Sequence, residues 1–268
     1  MCNKSFATMY KLSEIDKRFF DENGYLILKK KLDVNLLTDV TKKVDEIWKT
    51  HKELHPSATS LHMFNFVEQD EIFLQLMALK DTIIKIGQLL GPNIYVFHCH
   101  LDVNSPYEAA MSLKKLEWHR DSEIIEKDLN DFNTHMFSVK ASFWLSDASQ
   151  SGRGNMVVIP GSHKEDKLYP PESAIESAVE LLVSPGDIVL FDRRIWHARS
   201  HNTSNITRKA LFYGYSYRWL GSRDTFKRTI DTKNLLWNQL LGYYNNPISR
   251  YKPTESELPL KQLLKQVL

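Results

Sequence analysis

The chain has 268 residues, 42% of them apolar and 25% charged, with 35 lysines and arginines against 33 acidic residues for a net charge of +2. That composition suits one sizeable globular domain and excludes a disordered chain, and the near-balance of charge argues against nucleic acid or an anionic membrane surface as the partner. No run reaches the roughly 18–20 apolar residues of a membrane span, the two cysteines, Cys2 and Cys99, make no disulfide framework, and no apolar signal core follows Met1, so the expectation is a cytoplasmic protein.

The predicted elements form a single domain: N-terminal helices over about 1–92, a β-rich core over about 93–220 and a helical tail over about 224–268. Ser13 is a good N-cap and Gly24 a stop for a first helix. Tyr25-Leu26-Ile27-Leu28 follows as a short strand. Asp33 caps a second helix carrying Val34, Leu37, Val40, Val44, Ile47 and Trp48 at helical spacing. A third helix is predicted from about Asp70 to Leu90, ended by Gly91-Pro92. From Ile94 the period changes to that of strands: Ile94–Val103, Phe137–Leu145, Met156–Ile159, Glu180–Val183, Asp187–Phe191, Ile195–Ala198 and Lys209–Trp219. Turn signals at Gly152-Arg153-Gly154-Asn155, Pro160-Gly161-Ser162 and Ser184-Pro185-Gly186-Asp187 separate several of them. Many short strands with closely spaced turns predict a mainly β fold with flanking helices, a barrel or jelly roll rather than a parallel sheet.

Chemistry enters at Trp118-His119-Arg120-Asp121. In an extended segment residues two apart share a face, so His119 and Asp121 can address one metal while Arg120 points away. A third ligand must come from elsewhere, and His197 on a later strand is the natural choice. Two histidines and one carboxylate are the facial triad of non-haem Fe(II) oxygenases, which leaves open positions for a cosubstrate and dioxygen. Arg208 follows His197 by eleven positions. A buried guanidinium there offers the bidentate clamp that the far carboxylate of a chelating 2-oxo acid needs.

The segment from His119 to Tyr213 resembles the phytanoyl-CoA dioxygenase family of Fe(II)/2-oxoglutarate oxygenases. The match runs through His119 and Asp121, the Gly154-Asn155 turn leading to Pro160-Gly161-Ser162-His163, Pro185-Gly186-Asp187, Trp196-His197 and Arg208. Phe20-Asp21-Glu22-Asn23-Gly24-Tyr25-Leu26-Ile27 is similar to the family's opening. The resemblance implies a double-stranded β-helix (a cupin-like jelly roll), Fe(II) held by His119, Asp121 and His197, and 2-oxoglutarate anchored by Arg208. It implies consumption of O2, release of succinate and CO2, and oxidation of an unactivated C–H bond, usually to a hydroxyl. Related halogenating oxygenases lack the carboxylate; Asp121 is present, which favours hydroxylation. Where many members carry a serine or threonine two residues after the distal histidine, this chain has Arg199. It can bind the cosubstrate, reach the substrate or face solvent.

Other residues have weaker claims. His98, His100, Asp102 and Asn104 alternate on one face of their strand, either as a polar outer face or, as in the family, as a pocket wall; Asn104 resembles a family asparagine near the cosubstrate. Ser142 is a pocket residue or a small packing residue. His163 reads as a structural cap. His51, His55, His62, His135 and His201 have no companion at ligand spacing and read as surface or loop residues. Arg120, Arg193, Arg194 and Arg199 flank the triad, with Lys114 and Lys115 upstream. At a pocket entrance they favour an anionic small-molecule substrate, although outward-facing side chains are the commoner arrangement. Ser105–Glu117 and Glu123–Thr134 read as long loops suited to lids. A zinc hydrolase on the same ligands would need a general base that no motif supplies. A jelly-roll binding protein without turnover is the other alternative.

Overall fold

The computed structural model describes residues 9–106, 115–121, 127–128, 135–165, 170, 172–224, 230 and 232–267. Lys114, Cys2 and most of the two expected lid loops lie outside the described residues. The elements are α1 (Glu14–Asn23), β1 (Tyr25–Leu28), α2 (Val34–Leu54), β2 (Ser60–Phe64), α3 (Glu71–Met77), α4 (Lys80–Leu90), β3 (Ile94–Asn104), β4 (Ser138–Trp144), β5 (Met156–Val158), α5 (Glu172–Glu176), β6 (Val179–Glu180), β7 (Ile188–Asp192), β8 (His197–Arg199), β9 (Arg208–Tyr217), α6 (Leu235–Leu240) and α7 (Pro259–Lys265). No described helix is long and apolar enough to cross a membrane.

The local signals act as expected at the first two helices. Ser13 Oγ accepts the amide of Asp16 at 3.0 Å, and Gly24 closes α1 at φ 80°. Asp33 accepts the amides of Asn35 and Leu36 to start α2. The expected third helix is instead two, with Leu79 extended between them at ψ 120°. An unbroken helix would carry Lys80 inward on the face of Phe73, Leu76 and Met77, all fully buried; the break turns Lys80 out and buries Ile83, Ile84 and Ile86 instead. Two tyrosines of β9 pin α3 beneath the sheet: Tyr213 Oη donates to the Phe73 carbonyl at 2.8 Å and Tyr215 Oη to the Met77 carbonyl at 2.7 Å.

The strands form a six-stranded antiparallel sheet in the order β1-β7-β4-β9-β3-β2 and a three-stranded antiparallel sheet in the order β6-β5-β8. One face of the large sheet, with Val139, Ala141, Phe143, Leu211 and Tyr213, packs against the helices. Its other face sets Trp144, Val189, Phe191, Ala210 and Phe212 against Met156 and Val158 of the small sheet. This is the facing pair of sheets that the double-stranded β-helix requires. Two expected strands shift. Asp192 accepts the Arg194 amide and its carbonyl the Ile195 amide, so the chain turns there and β8 starts at His197 rather than Ile195. Strand 180–183 shrinks to Val179–Glu180 with a bridge at Val183. The edge strand β2 has no counterpart in the sequence reading, because only Leu61 of its five residues is buried. In the tail, Gln239 is buried and donates to the carbonyls of Pro92 and Ile94, fastening α6 to the start of β3.

Candidate metal centre

β8 and the segment before residue 121 meet as an antiparallel bridge. The His119 amide donates to the His197 carbonyl at 3.0 Å and the His197 amide returns to His119 at 3.1 Å. The Asp121 amide donates to Arg193 at 3.0 Å, which sets its carboxylate on the same side. One potential ligand atom from each of His119, Asp121 and His197 falls within 4.8 Å of the others. Each imidazole is aimed by its far nitrogen: His119 Nδ1 meets the Glu117 carbonyl at 3.1 Å and His197 Nδ1 meets Ile195 at 3.0 Å. Those carbonyls accept, so both Nδ1 atoms carry the proton and both Nε2 lone pairs are free for a metal. The donor set suits a divalent transition metal with open positions. Arg120 points away, as the alternation requires, and donates to the carbonyls of Ser162 and Glu165 while stacking on Trp196.

Cations surround the carboxylate. Lys140 Nζ lies 2.7 Å from Asp121 Oδ2 and is almost wholly buried. Arg193 Nη2 donates to the Asp121 carbonyl at 2.9 Å. Burial alone would raise the Asp121 pKa; the positive charges of Lys140 and Arg193 and the Lys140 hydrogen bond oppose it, and the group is held well below the usual carboxylate range. Arg120 and Arg193, which a solvent-facing reading would turn outward, are both 3% exposed. Lys140 is a site residue the sequence reading missed. Its signal was a lysine set between Val139 and Ala141 as the one charged residue of a buried strand.

Burial also keeps four histidines neutral. It lowers His98, His100 and His163 below the ordinary histidine value, and with the charge of His119 it takes His197 to about 3. The unfolded chain protonates these groups near pH 6.5 and the folded chain does not. They therefore leave stability unchanged above that pH and diminish it below, by about 1.4 kcal/mol per histidine per pH unit, until each folded value is reached. The metal-free protein should show a Tm that is level above about pH 7 and falls steadily from pH 6.5 downward. A Tm unchanged between pH 7 and 5 would contradict this burial.

Arg208 is 3% exposed and stacks on Trp144 at 4.8 Å in the same cavity. Its Nη1 lies 3.3 Å from Asp102 Oδ2, and Arg199 Nη1 approaches the same oxygen at 3.5 Å. Burial lowers the Arg208 pKa only to about 10, so it stays charged. Two guanidiniums and one carboxylate leave one positive charge for an incoming anion. Arg208 Nε and Asn104 Nδ2 are buried donors with no hydrogen-bond partner, an orphaned pair that a carboxylate oxygen would satisfy. The residues thus fit the far end of a 2-oxo diacid. Gly154, at φ +68°, lies against this arginine: a Cβ there would sit 2.9 Å from Arg208 Cδ. Gly154→Ala should displace the guanidinium and weaken 2-oxoglutarate binding about tenfold, measured by calorimetry with the wild type alongside.

The cavity, about 1170 Å³, is lined by His119, Asp121, His197, Arg208, Asn104 and all of His98, His100 and Asp102, together with Lys140, Arg193, Arg199 and Arg223. The polar face of β3 is therefore a pocket wall. Ser142 is not in that wall; it is fully buried, accepts from Trp144 Nε1 at 3.1 Å and donates to the Val189 carbonyl, which makes it a packing residue. His163 caps as expected, with Nε2 3.2 Å from the Asp21 carbonyl and the ring packed on Gly24. His201 lines the cavity, and His62 does too, with Nδ1 2.6 Å from Asp102 Oδ1. Both keep to the reading as surface or loop residues, His62 exposed on β2 and His201 in the loop after β8, and the pairing of β2 with β3 brings His62 to Asp102. His62, His100 and Asp102 also gather potential ligand atoms within 4.8 Å. Arg199 and Arg208 already neutralise that carboxylate, and their charge opposes a cation there. Burial alone would raise Asp102; His62 and Arg208 together hold it below the usual range.

Comparison with known proteins places these features in a family. The chain is 22% identical to bovine peroxisomal phytanoyl-CoA dioxygenase over 240 residues, covering 75% of this chain and 67% of the relative. It is 24% identical to dioxygenase af480 of Aspergillus fumigatus over 166 residues, 60% of this chain and 50% of the relative. Among solved structures, HygX from Streptomyces hygroscopicus, with nickel and 2-oxoglutarate bound, superposes with a TM-score of 0.64 at 14% identity, over 79% of this chain and 89% of HygX. EctD from S. alaskensis with bound Fe gives 0.59 at 21% identity, over 76% of each chain. The family model for phytanoyl-CoA dioxygenase (PhyH) matches residues 20–210, and with the fold and the triad in place the chain belongs to the PhyH family of Fe(II)/2-oxoglutarate-dependent dioxygenases.

Proposed function

We propose that the protein binds Fe(II) through His119, Asp121 and His197, binds 2-oxoglutarate through Arg208 with Asn104 beside it, and hydroxylates an unactivated C–H bond of an anionic small molecule, releasing succinate and CO2. The observation that carries this is one cavity holding two free Nε2 lone pairs and a carboxylate on one side, and the orphaned donors of Arg208 and Asn104 on the other. When bound, the iron would supply the positions where 2-oxoglutarate and O2 meet and the oxidising power for the C–H step. The protein's own contribution is placement. The Glu117 and Ile195 carbonyls hold both imidazoles in the ligating tautomer. Lys140 and Arg193 keep Asp121 ionised. Phe191, Phe212 and Met156 supply an apolar wall that limits water around the reacting centre. Lys140, Arg193 and Arg223 add positive charge on the metal side of the cavity and support an anionic substrate. Acyl-CoA, amino-acid-like, phosphonate and natural-product anions all fit that description.

The test is succinate release from anaerobically purified protein given Fe(II), 2-oxoglutarate, ascorbate and air. Slow release without added substrate, absent in His119→Ala and weakened in Arg208→Ala, is the expected result. No succinate, together with no visible charge-transfer band from iron and 2-oxoglutarate, would overturn the reading and favour a protein that binds without turning over.

A further inference from the structure

Three side chains outside the triad form a chain that ends in the cavity. Asp224, just beyond β9, is fastened to β3: its carboxylate accepts the Cys99 amide at 2.8 Å and its own amide approaches the Phe97 carbonyl at 3.5 Å. Both oxygens of that carboxylate lie 2.8 Å from His98 Nδ1. His98 Nε2 then meets His100 Nδ1 at 3.0 Å. His100 lines the cavity, stacked on Phe212 with ring centroids 4.6 Å apart and planes 12° from parallel. Its Nε2 has no partner among the described residues.

Hydrogen positions along this chain follow from its first member. A carboxylate only accepts, so the proton between Asp224 and His98 sits on His98 Nδ1. A neutral His98 then has a lone pair on Nε2, and burial favours the neutral ring. His100 must therefore donate from Nδ1, which leaves its Nε2 as a lone pair. Both rings are held in the Nδ1–H tautomer by one carboxylate two rings away.

We propose that the Asp224–His98–His100 chain fixes His100 Nε2 as a hydrogen-bond acceptor for the substrate, so that the substrate is an anion that also carries a hydroxyl or N–H donor. The substrate half of this rests on the oxygenase reading; the tautomer half does not. At neutral pH 2-oxoglutarate is a dianion with no donor, so it cannot satisfy His100. Phe212, stacked on His100, also packs within 5.7 Å of Lys140 Nζ, which places the acceptor and a cation on neighbouring parts of one wall. Hydroxy acids and amino acids combine the two features such a wall recognises. His100 is on this account a specificity residue, while Asp224 and His98 are positioning residues acting through it.

The experiment is two-bond 1H–15N NMR of the metal-free full chain labelled at histidine nitrogens, followed by a substrate screen. His98 and His100 should both show the Nδ1–H tautomer, and Asp224→Asn, whose amide can donate, should switch both towards Nε2–H. Nε2–H on either ring in the wild type overturns the proposal whether or not Asp224→Asn folds. The screen uses anions in matched pairs, a free hydroxyl or amine against its fully methylated form, with 2-oxoglutarate saturating. Donor-bearing members should raise succinate release and move the His100 Nε2 resonance. His100→Phe should raise their KM about tenfold and abolish the discrimination, and His100→Gln, which keeps an acceptor, should recover part of it. Equal stimulation by both members of every pair, or a His100 Nε2 resonance that no anion moves, overturns the substrate claim. Failure to bind iron and 2-oxoglutarate at all would instead sink the oxygenase reading and leave the tautomer result standing.

Discussion

Alanine at His119 is expected to abolish iron binding with the fold intact, whereas alanine at Asp121 abolishes iron binding and destabilises the protein as well. The two ligands differ in what else they hold. His119 is exposed, and among the described residues its side chain hydrogen-bonds the Glu117 carbonyl. Removing it leaves two ligands and no buried orphan. Asp121 is the counter-ion of Lys140, which is 3% exposed, and lies 4.0 Å from Arg193 Nε. Removing that carboxylate strands a buried ammonium, a change that costs about 3–5 kcal/mol. Loss of a direct ligand should exceed the roughly 10–100-fold loss of affinity typical of outer-shell changes. Anaerobic iron titration and Tm, read on both variants, separate the effects. Asp121→Asn should retain much of the stability, since it keeps the shape and one acceptor for Lys140. An Asp121→Ala protein with wild-type Tm would show that Lys140 is not held as described.

Arg208→Ala should weaken 2-oxoglutarate binding on the order of 100-fold or more while the fold survives. Truncating one partner of a buried charge pair costs about 2–5 kcal/mol, and the guanidinium carries an unpartnered buried N–H, at Nε, in the same cavity wall as an unpartnered Asn104 Nδ2. The fold survives because Asp102, which loses Arg208, keeps His62 at 2.6 Å and Arg199 at 3.5 Å. Arg208→Lys should fall between, about tenfold weaker than wild type, since it keeps the charge and loses the fork that a carboxylate matches. Calorimetry with Zn(II) in place of iron reads both without turnover. Arg208→Ala binding 2-oxoglutarate within twofold of the wild type would remove Arg208 from the clamp.

The triad was legible because strand geometry has a period of two. His-x-Asp in an extended segment puts both side chains on one face whatever surrounds it, and His119 and Asp121 do share a side. The caps at Ser13, Gly24 and Asp33 were legible for the same kind of reason, being local contacts over two to four residues. The third helix was read as continuous because its apolar spacing is helical on both sides of Leu79. The break answers to the burial of two separate faces, a fact about what the helices pack against.

The chemistry-bearing residues that escaped the sequence reading share one property: their partners are distant along the chain. Lys140 faces Asp121 across 19 positions, His62 meets Asp102 across 40, and Asp224 reaches His98 across 126. No spacing rule connects such pairs, because sheet pairing and the run of chain after β9 decide them. Ser142 errs the other way: its strand position suited a pocket, and Trp144 claimed its hydroxyl as a packing contact. Composition, period and motif therefore carry the family and two of the three side chains that cluster, His119 and Asp121, since those depend on residue type and short-range geometry. Which cations stay ionised, which histidine nitrogen carries a proton and which face of β3 meets the cavity depend on burial and on long-range pairing, and these exist only once the two sheets have closed on each other.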